Sequence, residues 1–145
     1  MSVQAPGRPH VATTVRDQSG IAIEITRGLA VAGVLLSANV HLDLWYTQGF
    51  RDIATIGPLF LLNAIGGIVL GVVMLCWRHW LPMLAAAGFG LATLAAFYIS
   101  VNWGLFGLKE VSSGEPQVLA EVAEYVALVG GAIASWMLWR RSRRP

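Results

Sequence analysis

Four long apolar runs constrain the fold of this chain more than any other feature. They cover about residues 25–46, 56–77, 81–103 and 118–139, and short polar segments separate them. A helix of about 20 residues crosses the roughly 30 Å of hydrocarbon in a bilayer, so each run is long enough to span a membrane. The runs are continuous rather than alternating, which excludes a transmembrane β-barrel and leaves helices to satisfy the backbone in lipid.

The composition also indicates a membrane protein. Only 12% of the residues are charged and the mean hydropathy is +0.63, whereas a soluble domain carries about 25% charged residues. The sequence therefore predicts an all-α fold, a transmembrane four-helix bundle with antiparallel, up-and-down helices. Residues 21–140 form the bundle in this prediction, residues 1–20 a disordered cytoplasmic tail, and residues 141–145 a basic cytoplasmic tail.

Basic residues predict the orientation of the chain, because cytoplasmic loops carry an excess of lysine and arginine. Eight of them precede or open the first span, lie between spans 2 and 3, or end the chain: Arg8, Arg16, Arg27, Arg78, Arg140, Arg141, Arg143 and Arg144. Only Arg51 and Lys109 lie in the other two loops. We therefore expect both termini in the cytoplasm and a multi-pass protein of the bacterial inner membrane.

Small residues recur at a spacing of four within every span. The pairs are Gly28 with Ala32, Gly67 with Gly71, Gly88 with Ala92, and Gly130 with Ala134. This spacing lets two helix backbones approach closely in lipid, where packing rather than the hydrophobic effect holds helices together. The pairs predict either tight packing within one bundle, which four patterned helices favour, or a homodimer face.

Polar residues concentrate at the predicted outer ends of the spans. The candidate cluster consists of His41, Asp43, Arg51, Glu121, Glu124 and Tyr125. Ionisable groups inside a span are costly unless they face the bundle interior, pair or reach water, so they are functional candidates. Glu121, Glu124 and Tyr125 share one helix face. His41 and Asp43 point nearly opposite ways, so only one of the two can face inward.

Besides contact with lipid headgroups without any site, two interpretations of this cluster remain open. In the first, Arg51 folds back to pair with Glu121, Glu124 or Asp43 and clamps the outer end of the bundle. In the second, His41 and the two glutamates line a polar pocket for a metal ion, a proton or a quinone-like headgroup. A metal would need a tight set of ligands, and a single histidine outside an HExxH motif is a weak signal.

Several functions find no support in the sequence. Nucleotide-binding glycine motifs and nucleophilic catalytic motifs are absent, so no catalytic residue, metal ligand or cofactor is specified. The four arginines after the last span predict contact with anionic lipids of the inner leaflet. Because this cluster is short and lies beside the membrane, it does not indicate nucleic acid binding.

The segment HLDLWYTQGFRDIATIGPLFLLNAIGG, residues 41–67, resembles a segment of small four-span membrane proteins of actinobacteria, most of which have no assigned function. In size and layout the chain is also similar to DoxX-like four-helix proteins, some of which take part in quinone-dependent redox reactions. The resemblance implies the fold and a structural unit that contains His41, Trp45, Arg51, Pro58 and Asn63. No motif carries an activity over residue by residue.

These observations favour a small integral membrane protein without a catalytic centre, an accessory or scaffold subunit that acts through helix contacts. Its expected partners are the lipid bilayer, a second copy of the chain or a larger membrane complex. The alternative is a redox or transport component with a polar pocket at the extracytoplasmic face.

Overall fold

The computed structural model describes residues 10–107, 109 and 114–144. It contains the helices α1 (His10–Thr47), α2 (Ile56–Cys76), α3 (Trp80–Trp103) and α4 (Glu115–Ser142), and a short 3-10 helix at Phe50–Asp52. No β-strand occurs in these parts of the chain. The predicted all-helical fold with four helices is therefore confirmed.

All four helices are long and apolar enough to cross a membrane, and within α1 this stretch is Gln18–Thr47. Many large apolar side chains point away from the other helices. Leu62 and Leu75 of α2 are 66% and 61% exposed, and Trp103 at the end of α3 is 81% exposed. Soluble proteins rarely expose so much contiguous apolar surface. A surrounding bilayer accounts for these side chains, so the chain has the character of a multi-pass membrane protein.

The ends of α2 and α3 lie within one residue of the predicted spans 56–77 and 81–103. By contrast, α1 begins at His10, so residues 10–20 of the segment predicted to be a disordered tail are helical. No proline interrupts the chain between Pro9 and Pro58. The helix can therefore begin well before the apolar run, whereas the prediction started the span at that run. Residues 1–9 lie outside the described part of the chain.

The helices do not pack against one another equally. α1 packs extensively against α4 and α2, and α3 packs against the other side of α4. α2 and α3 touch each other little, although a short turn joins them. The largest fully buried side chains, Met74, Met83 and Val34, come from three different helices. The sparse contact between α2 and α3 leaves space for the cavity described below.

The four small-residue pairs divide into two kinds. Gly67 and Gly71 are buried, as are Gly130 and Ala134. In α1 and α3 the pairs Gly28 with Ala32 and Gly88 with Ala92 are exposed. Packing within the bundle therefore explains two of the four pairs. The other two form an outward face on α1 and an outward face on α3.

One end of the bundle is held by a buried arginine. Arg27 is 7% exposed. It donates hydrogen bonds to the Glu24 carboxylate at 2.9 Å and to the Met74 carbonyl at 3.0 Å. Arg78, between α2 and α3, also donates to Glu24. Because Met74 is in the last turn of α2, these bonds fix that turn against α1.

Candidate functional site

A cavity of about 80 Å³ lies among the four helices, and we call it the His41–Glu124 pocket. A water molecule takes up about 30 Å³ in the liquid, so a few waters or one small polar group fit in it. Phe60 of α2 and Phe97 of α3 contribute aromatic walls. The polar side chains that line it are His41, Thr93, Ser100, Gln117, Glu121 and Glu124.

The pocket contains a carboxylate and an imidazole from two different helices. Glu124 of α4 is 2% exposed. Its Oε1 accepts a hydrogen bond from the Ser37 hydroxyl at 3.2 Å. Nε2 of His41 lies 3.9 Å from the same oxygen, which is too far for a direct hydrogen bond. A water molecule or a ligand group can bridge that gap.

The backbone defines the tautomer of His41. Its Nδ1 lies 2.9 Å from the Ser37 carbonyl oxygen one turn earlier in α1. A carbonyl only accepts hydrogen bonds, so Nδ1 carries a proton. Nε2 is then the nitrogen that gains or loses a proton on the side of Glu124.

Two glycines bring the neighbouring helices against this turn of α4. A Cβ at Gly33 of α1 would lie 2.7 Å from the carbonyl oxygen of Ala123 and 2.7 Å from the amide nitrogen of Ala127. A Cβ at Gly90 of α3 would lie 2.5 Å from the carbonyl oxygen of Glu124. No side chain fits at either position without moving backbone. The close approach buries Glu124 between α1 and α3.

Glu121 joins the pocket to a second polar group. It lines the pocket one turn before Glu124 and Tyr125, and its carboxylate accepts a hydrogen bond from the Tyr98 hydroxyl. The hydroxyls of Tyr98 and Tyr125 are 3.1 Å apart. Three hydrogen-bonding groups therefore connect α3 and α4 beside the pocket.

The structure separates Asp43 and Arg51 from the other four candidates. Asp43 is exposed and accepts a hydrogen bond from Thr47 of its own helix at 3.2 Å. Arg51 lies 3.8 Å from Asp52, its neighbour in the chain. Among the described residues no ion pair joins Arg51 to Glu121, Glu124 or Asp43. The expected clamp is absent there: the Arg51 side chain is half exposed and lies near Asp52 instead.

Sequence reasoning missed three residues that complete the site. Ser37 lies one turn before His41 on the same face of α1, and this spacing could have found it. Tyr98 lies in a predominantly apolar stretch of α3, where the sequence alone gives no sign of a polar partner. The ring of Phe60 lies 5.0 Å from the imidazole of His41, and only the packing of α2 on α1 reveals that contact.

The described residues contain no group of three histidine, cysteine, aspartate or glutamate side chains placed to hold a metal ion. No family model, curated protein or solved structure matches this chain.

Proposed function

We propose that this chain is a redox or transport component of the bacterial inner membrane that binds the polar end of a small amphipathic molecule in the His41–Glu124 pocket. The observation that carries the proposal is the burial of Glu124, at 2% exposure, beside a histidine from another helix and a cavity. An ionisable group in that position is expensive to keep in a membrane protein and usually has a function.

The proposal includes an up-and-down arrangement with both termini cytoplasmic. It is supported by contacts between α1 and α4, in which Ala30 lies against Gly130 and the later Gly33 lies against the earlier Ala127. The excess of arginine near the two termini and in the turn between α2 and α3 supports the orientation. The pocket then opens near the extracytoplasmic ends of the spans.

The lining of the pocket favours binding over a purely structural role. The amide oxygen of Gln117, which lines the cavity, is buried and has no hydrogen-bond partner among the described residues. An oxygen in this position can accept a hydrogen bond from a donor in the cavity. The cavity holds only the polar end of an amphipathic molecule, beside the aromatic rings of Phe60 and Phe97.

The histidine and the glutamate also suit proton exchange. Nδ1 of His41 is occupied by the Ser37 carbonyl, so a proton near Glu124 resides on Nε2 or on the carboxyl group. A carbonyl or hydroxyl oxygen at the edge of a quinone-like headgroup can exchange hydrogen bonds with both side chains, which makes such a headgroup a suitable occupant.

Thermal unfolding in mild detergent tests the binding proposal with a short-chain ubiquinone analogue as the probe. A ligand present at 100 times its Kd stabilises the folded state by about 2.7 kcal/mol. We expect wild-type protein and Asp43→Asn to be stabilised, and His41→Gln and Glu124→Gln to lose the effect. Stabilisation that survives Glu124→Gln, or none in the wild type, contradicts binding of this headgroup in the pocket.

A second candidate is the accessory or scaffold role, and one observation favours it. The small-residue pairs of α1 and α3, Gly28 with Ala32 and Gly88 with Ala92, face outward. A Cβ added at Gly28 or Gly88 meets no atom within 4 Å. Such faces permit close approach of another transmembrane helix, from a second copy or from a different membrane protein.

A further inference from the structure

The opposite end of the bundle carries a cleft with a strongly basic lining. It lies between α1 and the last turns of α4, has a volume of about 390 Å³, and contains Arg140, Arg141 and Arg144. We call it the arginine cleft. It shares no residue with the His41–Glu124 pocket and does not depend on the function proposed for that pocket.

The described residues that line the arginine cleft include three arginines and no acidic side chain. Arg141 also lines the adjoining cleft, whose carboxylate, Glu24, already pairs with Arg27 and Arg78. Three guanidinium groups around one cleft attract an anion, and phosphate oxygens match their fork-like geometry.

Apolar side chains make up most of the remaining lining. Ile23 of α1 and Trp136 and Met137 of α4 line the same cleft as the arginines. The guanidinium of Arg140 lies 4.2 Å from the centre of the Trp136 ring, a cation–π arrangement that orients it. A ligand that fits both parts has a phosphate at one end and a hydrocarbon portion beside it.

We propose that the arginine cleft is a discrete binding site for the phosphate headgroup of an anionic phospholipid, with an acyl chain against Ile23 and Trp136. This differs from diffuse attraction of the arginines to an anionic leaflet, because three particular side chains hold one lipid. Ser19 of α1 also lines the cleft.

The chain supplies a matched control for this proposal. Arg143 belongs to the same basic segment, but its guanidinium lies 4.4 Å from the centre of the Trp139 ring and does not line the cleft. If the attraction is diffuse, replacing Arg141 or Arg143 should reduce lipid affinity equally. If the site is discrete, replacing Arg141 should reduce the affinity and replacing Arg143 should change it little.

Native mass spectrometry of the full chain in mild detergent tests the site. Phosphatidylglycerol and phosphatidylcholine with identical acyl chains are the probes. We expect one phosphatidylglycerol per chain to be retained in preference to phosphatidylcholine. Loss of one hydrogen bond between a guanidinium and a bound phosphate lowers affinity by about tenfold or more. Arg141→Gln should therefore weaken retention about tenfold, and Arg143→Gln should weaken it much less, because Arg143 does not line the cleft.

Three results overturn the proposal. Equal losses in Arg141→Gln and Arg143→Gln assign the effect to diffuse charge, and equal retention of the two lipids removes the role of the anionic headgroup. Displacement of phosphatidylglycerol by an equimolar amount of inorganic phosphate assigns the cleft to a free anion. Thermal unfolding of each variant checks that its fold is intact, which we expect because these arginine side chains are exposed.

Discussion

His41 of α1 and Glu124 of α4 face each other across a helix interface, with Nε2 of the imidazole 3.9 Å from a carboxylate oxygen. Ser37 contacts both, through its carbonyl to His41 and through its hydroxyl to Glu124. The three residues form one unit that two helices must bring together. The unit combines a buried ionisable group with a space that water or a ligand can enter.

The first prediction concerns the coupling between these two residues. A buried polar group that is left without its hydrogen-bond partner costs about 1–3 kcal/mol. We expect His41→Gln and Glu124→Gln each to lower the free energy of unfolding in mixed micelles. The free energy of unfolding lost in the double variant should be smaller than the sum of the two single losses, by about 1 kcal/mol or more.

Asp43 provides the control for this cycle. It lies two residues from His41 but is exposed and bonds to Thr47. Asp43→Asn combined with Glu124→Gln should give additive losses. Additive losses for His41→Gln with Glu124→Gln would show that the two residues act independently.

The second prediction concerns the glycines around Glu124. Alanine at Gly33 or Gly90 places a methyl group against the backbone of α4, and overpacking of this kind costs about 1–3 kcal/mol. We expect both variants to unfold at a lower temperature in detergent. Alanine at Gly28 or Gly88 meets no atom within 4 Å and should have little effect. Equal losses at all four positions would contradict the close helix contact.

The third prediction compares two arginines that bind the same carboxylate. Arg27 has a side chain that is 8% exposed, and it bonds to Glu24 and to the Met74 carbonyl. Arg78 is 67% exposed in its side chain. We expect Arg27→Gln to lower the free energy of unfolding by about 2 kcal/mol, and Arg78→Gln by less than about 1 kcal/mol. Unfolding in mixed micelles measures both, and a larger loss for Arg78→Gln would contradict the assigned burial.

The fourth prediction tests the outward small-residue faces. Leucine at Gly28 or Gly88 should leave the monomer folded, because no atom lies near the added Cβ. If a second helix packs on these faces, the same variants should lower the dimer fraction measured by mass photometry or crosslinking. A matched change on α2, Ile65→Leu, should not alter the fraction, since Ile65 lies outside the two faces. An unchanged oligomer in both glycine variants would remove support for the scaffold role.

Helix positions were largely predictable because a continuous apolar run of about 20 residues has one stable conformation in lipid. The start of α1 was not predictable, because the helix begins at His10, in polar residues that precede its apolar run. Apolarity indicates where the membrane lies rather than where hydrogen bonding along the helix begins.

The candidate site was predictable only in part. Spacing along one helix correctly indicated that His41 and Asp43 point apart, and the structure places His41 inward. It could not indicate that Ser37 reaches Glu124, or that Tyr98 reaches Glu121, because both bonds depend on the rotation of one helix against another. The close contacts at Gly33 and Gly90 are also not predictable from the sequence pattern, since neither glycine belongs to one of the four small-residue pairs.

The central claim is that Glu124 belongs to a binding pocket. Native mass spectrometry tests it most directly, on wild-type protein and Glu124→Gln extracted from the same host membrane in mild detergent. We expect the wild type to carry a small molecule of defined mass, and Glu124→Gln to lose it while its thermal stability shows that it remains folded. The same occupancy in both proteins, whether both are empty or both carry the molecule, would contradict the claim.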